Sequence, residues 1–144
     1  MVDPLYQKEI LRLAAAADGA GRLAAPTVTA TVKNPLCGDM VTVDLALEQG
    51  RIKAMAHTTR ACVLCQASAA LLARHAVGRD RSDLAAAGAR LRALLEGTAE
   101  AAWPGDFADF QVFAAVAPHP HRHTCVLLPF EAAEKAFAAA SSPA

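Results

Sequence analysis

The sequence predicts an α+β fold, a small three-stranded antiparallel sheet packed against about five helices. Three observations predict it. Stretches between Thr27 and Thr59 alternate apolar with polar or small residues, the period of a half-buried strand. From Cys62 the texture changes to Ala- and Leu-rich runs at helical spacing. Glycine and proline punctuate both halves, as turns and helix ends require.

Pro4 stands where a helix would start, and Tyr6, Ile10, Leu13 and Ala17 recur at helical spacing before Gly19 and Gly21, so residues 5–17 are expected to be helical. Thr27 to Val32 alternates as a strand. Asn34-Pro35 and Gly38-Asp39 bracket a tight loop containing Cys37. Val41, Val43, Leu45 and Leu47 mark a second strand, and Ile52, Ala54 and Ala56 a third reaching about Thr59. Gln49-Gly50-Arg51 between them makes an antiparallel hairpin. Gln66 to Val77 reads as a helix stopped by Gly78, and Ser82 as the cap of another carrying Leu84, Leu91, Leu94 and Leu95 to Gly97. Trp103-Pro104-Gly105 is a loop with Trp103 as its anchor. Asp106 caps a shorter helix bearing Phe107, Phe110 and Phe113, read as core, and Pro118 stops it. His119 to Thr124 reads as an extended linker. The last helix runs from about Cys125 to Ala139, with Pro129 near its first turn.

A chain of 144 residues fits a single domain over 1–144, and no repeat or long linker divides it. Charge is balanced, 14 basic against 14 acidic residues, and no basic stripe argues for nucleic acid. No apolar run is long enough to span a membrane. Charges at Asp3, Lys8, Glu9 and Arg12 do not read as a signal peptide, so a reducing cytoplasm is the expected compartment. Four cysteines there serve metal binding or catalysis more often than disulfides.

All four cysteines fall at or near junctions. Cys37 lies in the loop before the second strand, Cys62 precedes a helix, and Cys125 opens the last one. A helix N-terminus favours thiolate, and thiolate is both a sulfur nucleophile and a soft ligand. Asp39, one glycine beyond Cys37, can turn toward the same centre; three thiolates and a carboxylate complete a four-coordinate site. Spacing alone leaves a second reading open, that the cysteines are small buried hydrophobes.

The segment Lys33-Asn34-Pro35-Leu36-Cys37-Gly38-Asp39 resembles the N-P-x-C-G-D motif of the IscU/SufU/NifU-N-terminal family of iron–sulfur cluster assembly proteins. Cys62 followed by Gln66-Ala67-Ser68-Ala69-Ala70 is similar to that family's second cysteine and its small-residue helix. Pro120-His121-Arg122-His123-Thr124-Cys125 resembles the third cysteine segment. The long interval between the second and third cysteines, with an extra helix and loop around residues 88–112, is closest to the SufU branch. The resemblance implies that Cys37, Asp39, Cys62 and Cys125 are ligands of zinc. It further implies that the protein accepts persulfide sulfur from a cysteine desulfurase. One thiolate, with Cys37 as the candidate acceptor because a loop cysteine moves most easily, would leave zinc and attack the terminal persulfide sulfur. Downstream partners would be other assembly proteins or apo-acceptors. The alternative within the family is an IscU-type scaffold, on which iron and sulfide build a transient [2Fe–2S] cluster at the same four residues.

The chain departs from that pattern in places. The family's N-terminal H-Y-x-N-P-R-N-x-G is replaced by Leu11 to Gly19, Ala61 stands for a glycine, and Thr124 replaces the His or Lys before the third cysteine. Cys65 is extra and makes Cys62-Val63-Leu64-Cys65, the basis of a second alternative, a thiol redox protein; against it stands a Cys65 packed on the buried side of its helix. His119, His121 and His123 would share one face of an extended chain, as a second metal site or a solvated loop. His57 and His75 read as ordinary surface or packed residues, and Arg79-Asp80-Arg81 as a solvated connection.

Overall fold

The computed structural model describes residues 8–35, 38–98, 103 and 105–141. The elements are α1 (Lys8–Ala16), β1 (Val28–Lys33), β2 (Met40–Glu48), β3 (Arg51–Arg60), α2 (Val63–Ala76) and α3 (Arg81–Glu96), then a 3-10 segment (Gly105–Val116), a short 3-10 turn (Pro120–Arg122) and α4 (His123–Ser141). The sheet is antiparallel in the order β1-β2-β3. Both strand pairings and the helical packing follow the expected class. No helix among the described residues is long and apolar enough to cross a membrane.

The two sheet faces are chemically distinct because side chains alternate. Val41, Val43 and Leu45 of β2 are fully buried and turn with Ala30 and Met55, their neighbours across the pairing, toward the helices. On the opposite face Asp44 stands across from Thr29 and Thr42 across from Thr31. Thr29 donates to Asp44 at 2.6 Å, and Arg22 grips the same carboxylate with Nε at 2.6 Å and Nη2 at 3.0 Å. Those Arg22 bonds hold the Asp44 carboxyl below the usual carboxylate range, against the burial that raises it. The β2–β3 turn is Gln49-Gly50, with φ of 55° and 78°. Two residues at positive φ match the right-handed twist of the strands.

The segment after α1 docks on β3 through His57. His57 N–H donates to Gly19 O at 2.9 Å, and Gly21 N–H to His57 O at 2.8 Å. The imidazole Nε2 is 2.8 Å from Asp18 O and Nδ1 is 2.8 Å from Thr59 Oγ1. The carbonyl only accepts, so Nε2 carries the proton and Nδ1 accepts from the threonine. Gly19 is required twice over: φ is +76°, and a Cβ there would lie 2.5 Å from Ala73 Cβ. Burial lowers the His57 pKa below 6.5, so the folded state prefers the neutral ring. That contribution is complete above the unfolded value and is lost as pH falls through the folded one. Thermal unfolding is therefore expected to show wild-type stability falling as pH drops below about 6.5, with a shallower slope in His57→Gln, which starts lower.

Several local expectations need correction. Asp80, not Ser82, caps α3: its carboxylate accepts from Asp83 N–H at 2.8 Å while Asp83 accepts from Asp80 N–H at 3.0 Å. Arg79-Asp80-Arg81 is accordingly not a solvated connection. Arg79 O accepts from Ile52 N–H at 2.8 Å, its guanidinium covers Phe107, and Arg81 pairs with Glu134. The shorter helix at Asp106 is a 3-10 segment beginning at Gly105. At three residues per turn, positions i, i+3 and i+6 eclipse, so Phe107, Phe110 and Phe113 form one strip, at most 1% exposed. Trp103 does anchor its loop, stacking on Phe110 and lying under Arg90.

His119 to Thr124 is not extended. Pro120, with its φ preset, opens the short 3-10 turn and α4 begins at His123. Pro129 consequently sits inside α4 rather than in its first turn. Having no N–H, it leaves the carbonyl four residues back, on Cys125, without a helical donor. The next carbonyl, Val126 O, accepts from the buried Ser68 hydroxyl of α2 at 2.6 Å. That bond ties α2 to α4 beside the cysteine. In α1, Ile10 and Leu13 are buried as the spacing requires; the part of that expectation at residues 5–7 lies outside the described residues.

Candidate functional site

Antiparallel pairing builds the first half of the site. Met40 pairs with Arg60, which brings Asp39, just before β2, close to Cys62, just after β3. The preceding loop is closed by Asn34 N–H donating to Asp39 O at 2.7 Å and Gly38 N–H donating to Asn34 O at 2.8 Å. Gly38 has φ +76° with open space around it, so backbone conformation selects glycine there. Packing supplies the second half. Cys125 precedes the Val126 carbonyl held by Ser68, six residues along from Cys62. The ligand atoms of Asp39, Cys62 and Cys125 all lie within 4.8 Å of one another. Cys37, the fourth expected member, lies outside the described residues.

The three groups are largely withdrawn from solvent. Asp39 is 8% exposed and Cys125 2%, and Cys62 is half-buried. Asp39 Oδ2 is buried without a hydrogen-bond partner among the described residues. An uncompensated carboxylate oxygen is costly, and a cation would satisfy it.

Proton occupancy in the site is divided. The Cys125 thiol, which can donate to the Cys62 sulfur, is the main cause lowering the Cys62 pKa to about 6. Burial and the Asp39 charge oppose this, while the Cys65 N–H and the Arg122 charge assist. Cys62 is the N-cap of α2 and makes no side-chain cap hydrogen bond of normal length. The Cys65 N–H still faces its sulfur closely enough to favour thiolate. Cys125 is pushed up by its bond to Cys62, by burial, by the Cys62 charge and by Asp39. Without metal the two sulfurs titrate as a coupled pair, the first proton leaving more readily than the second.

The other expectations resolve separately. Cys65 is fully buried in the core, in keeping with the packed reading. The three alternating histidines do not converge. His119 and His121 rings stand 6.3 Å apart, while His123 Nε2 turns away to Val116 O at 3.2 Å and Ala117 O at 3.1 Å. His57 is a packed residue, and His75 pairs with Asp109 at 2.8 Å. Arg122 and Ser68 also contribute at the site; both lie inside the motif segments, but neither is a ligand type that those segments single out. Arg122 Nε is buried without a hydrogen-bond partner among the described residues. Arg122 precedes Cys125 by three residues, and its place within the third cysteine segment is the signal that points to it.

Comparison with known proteins agrees with this architecture. A crystal structure described as a nitrogen-fixing NifU-like protein (N-terminal) from Brucella abortus superposes with a TM-score of 0.91 at 35% identity, covering 99% of this chain and 98% of that one. A putative iron–sulfur cluster assembly scaffold protein for the SUF system from Fervidobacterium islandicum shares the fold, with a TM-score of 0.81 at 21% identity, covering 92% of this chain and 96% of that one. In sequence, the iron–sulfur cluster assembly scaffold protein IscU of Thermotoga maritima is 26% identical over 139 residues, 96% of each chain. The NifU-like N terminal domain family model matches residues 5–126, a span that includes all three cysteine segments. The chain belongs to the NifU-like N terminal domain family.

Proposed function

We propose that this chain is an iron–sulfur cluster assembly protein, a single domain of the reducing cytoplasm that receives persulfide sulfur from a cysteine desulfurase. The observation that carries the proposal is the convergence of Asp39, Cys62 and Cys125 within 4.8 Å around a buried carboxylate oxygen with no hydrogen-bond partner among the described residues. Thiolates and a carboxylate fit zinc, which Cys37, Asp39, Cys62 and Cys125 would hold. Bound there, zinc keeps the thiols deprotonated and occupies Asp39.

The chain's own residues perform the transfer. A site thiolate, Cys37 first, attacks the terminal sulfur of the desulfurase persulfide; that S–S bond breaks and the desulfurase cysteine leaves as thiolate. Arg122 and the α2 N-terminus favour negative charge on sulfur at Cys62. Delivery then passes to downstream assembly proteins or apo-acceptors. A second reading, a scaffold on which iron and sulfide are assembled as cargo, is favoured by end-to-end alignment with a protein named as an IscU scaffold.

Elemental analysis and sulfur loading test the two readings together. Protein purified without chelator is expected to hold about one zinc per chain. With a desulfurase and cysteine it should acquire a persulfide, detected by alkylation and mass spectrometry, which Cys37→Ser forms at least about tenfold more slowly. Iron with equal sulfide and visible absorbance would transfer the assignment to the scaffold. Undiminished sulfur uptake by Cys37→Ser would sink the acceptor role.

A further inference from the structure

Cys65 is a fully buried thiol one helical turn after Cys62, and the function above does not use it. Persulfide sulfur is zero-valent, whereas a cluster contains sulfide, so each delivered sulfur must gain two electrons. A thiol adjacent to the loaded cysteine can supply them.

We propose that Cys65 is the resolving thiol for a persulfide carried on Cys62. The inference rests on the reading that persulfide sulfur reaches this site. The Cys65 sulfur, losing its proton, attacks the Cys62 sulfur. The persulfide S–S bond breaks, its electron pair leaves with the terminal sulfur as hydrosulfide, and a Cys62–Cys65 disulfide forms. The two cysteine sulfurs together lose two electrons and the sulfane sulfur gains two, so no other reductant enters. An external dithiol then resets the pair by thiol–disulfide exchange.

The geometry suits this order of events. Cys62 is the N-cap, with φ −65° and ψ 167°, and Cys65 is the third residue of α2. Cβ atoms three apart in a helical turn lie about 5–6 Å apart, and a disulfide needs about 3.5–4.5 Å. The non-helical N-cap can close that gap by rotating without unwinding α2. The half-buried Cys62 is the partner that incoming sulfur can reach, and Cys65 is sealed in the core. This is the division between attacking and resolving thiols in C-x-x-C chemistry.

The test loads full-length reduced protein with inorganic polysulfide, desalts it, and follows released sulfide alongside the tryptic peptide of residues 61–74. Wild type is expected to release about one sulfide per chain as that peptide becomes lighter by two hydrogens. Cys65→Ala, and Cys65→Val as a variant that refills the core, should retain the Cys62 persulfide and release sulfide at least about tenfold more slowly. A stable persulfide on wild-type Cys62 with no disulfide would overturn the proposal and leave sulfur acceptance standing. Wild-type release rates in both variants would overturn it as well. Failure of any site cysteine to take sulfur would remove the acceptor reading along with it.

Discussion

Cys62→Ser is expected to weaken zinc binding by at least about 100-fold while leaving the metal-free fold as stable as wild type or slightly more so. The two effects separate because the residue has two roles. As a proposed ligand, Cys62 would provide soft thiolate, its pKa lowered to about 6 mainly by the Cys125 thiol. A serine hydroxyl stays protonated and binds zinc poorly. Substitutions one shell farther out cost about 10–100-fold in affinity, so loss of a direct ligand should cost no less. As the α2 N-cap, Cys62 makes no side-chain bond of normal length. Serine is among the preferred N-caps and accepts from the orphan N–H groups, which contributes about 1 kcal/mol.

Competition against a chromogenic chelator measures the first effect and thermal unfolding of metal-free protein the second. Wild-type affinity should also rise with pH above neutrality. Burial and the mutual hydrogen bond of the Cys62–Cys125 pair make its second proton hard to lose, and that proton must leave when metal binds. Equal zinc affinity in Cys62→Ser and wild type would remove Cys62 from the ligand set.

Phe110→Ala should produce the largest loss of stability of any substitution away from the site, about 3–5 kcal/mol, or roughly 10–20 °C in Tm. Phe110 is fully buried and is the common neighbour of four aromatic rings. Its centroid lies 5.2 Å from Phe130, 5.8 Å from Phe113, 6.1 Å from Phe107 and 6.3 Å from Trp103. Truncation leaves a cavity at the seam between the 3-10 segment and α4, and the rigid rings cannot collapse into it. The loss should reach the site, because Val116 and Ala117 at the end of that segment hold His123 at the start of α4, two residues before Cys125. Ala108→Ser, on the exposed side of the same segment, should stay within about 0.5 kcal/mol of wild type. Denaturant unfolding of both variants checks the contrast. A loss below about 1 kcal/mol for Phe110→Ala would mean that the aromatic strip does not hold the segment down.

Patterns governed by neighbours along the chain are legible in the residues themselves. Alternation from Val28 to Arg60 specifies the strands, and Gln49-Gly50 specifies their tight turn, because period-two burial and positive φ are local constraints. Cys62 at the α2 N-terminus is readable for the same reason. Competing local signals are harder. Asp80 and Ser82 are both good caps, and Asp80 prevails because Asp83 completes a reciprocal capping box. His119 to Thr124 has the look of an extended linker, yet Pro120 suits a helical first turn equally well. The choice there depends on His123 reaching carbonyls that the 3-10 segment presents.

By itself the sequence determined the α+β class, the strand and hairpin pattern, the family motifs and the candidate thiols, all of which follow from local sterics and residue chemistry. The tertiary structure alone decided that Asp39, Cys62 and Cys125 meet. They are brought together by the β2–β3 register and by the packing of α4 on α2, α3 and the sheet, where Ser68 bonds Val126 O. It also decided that Cys65 lies sealed in the core. Burial, charge and hydrogen bonding in the site come from segments distant in the chain, and no local pattern encodes them.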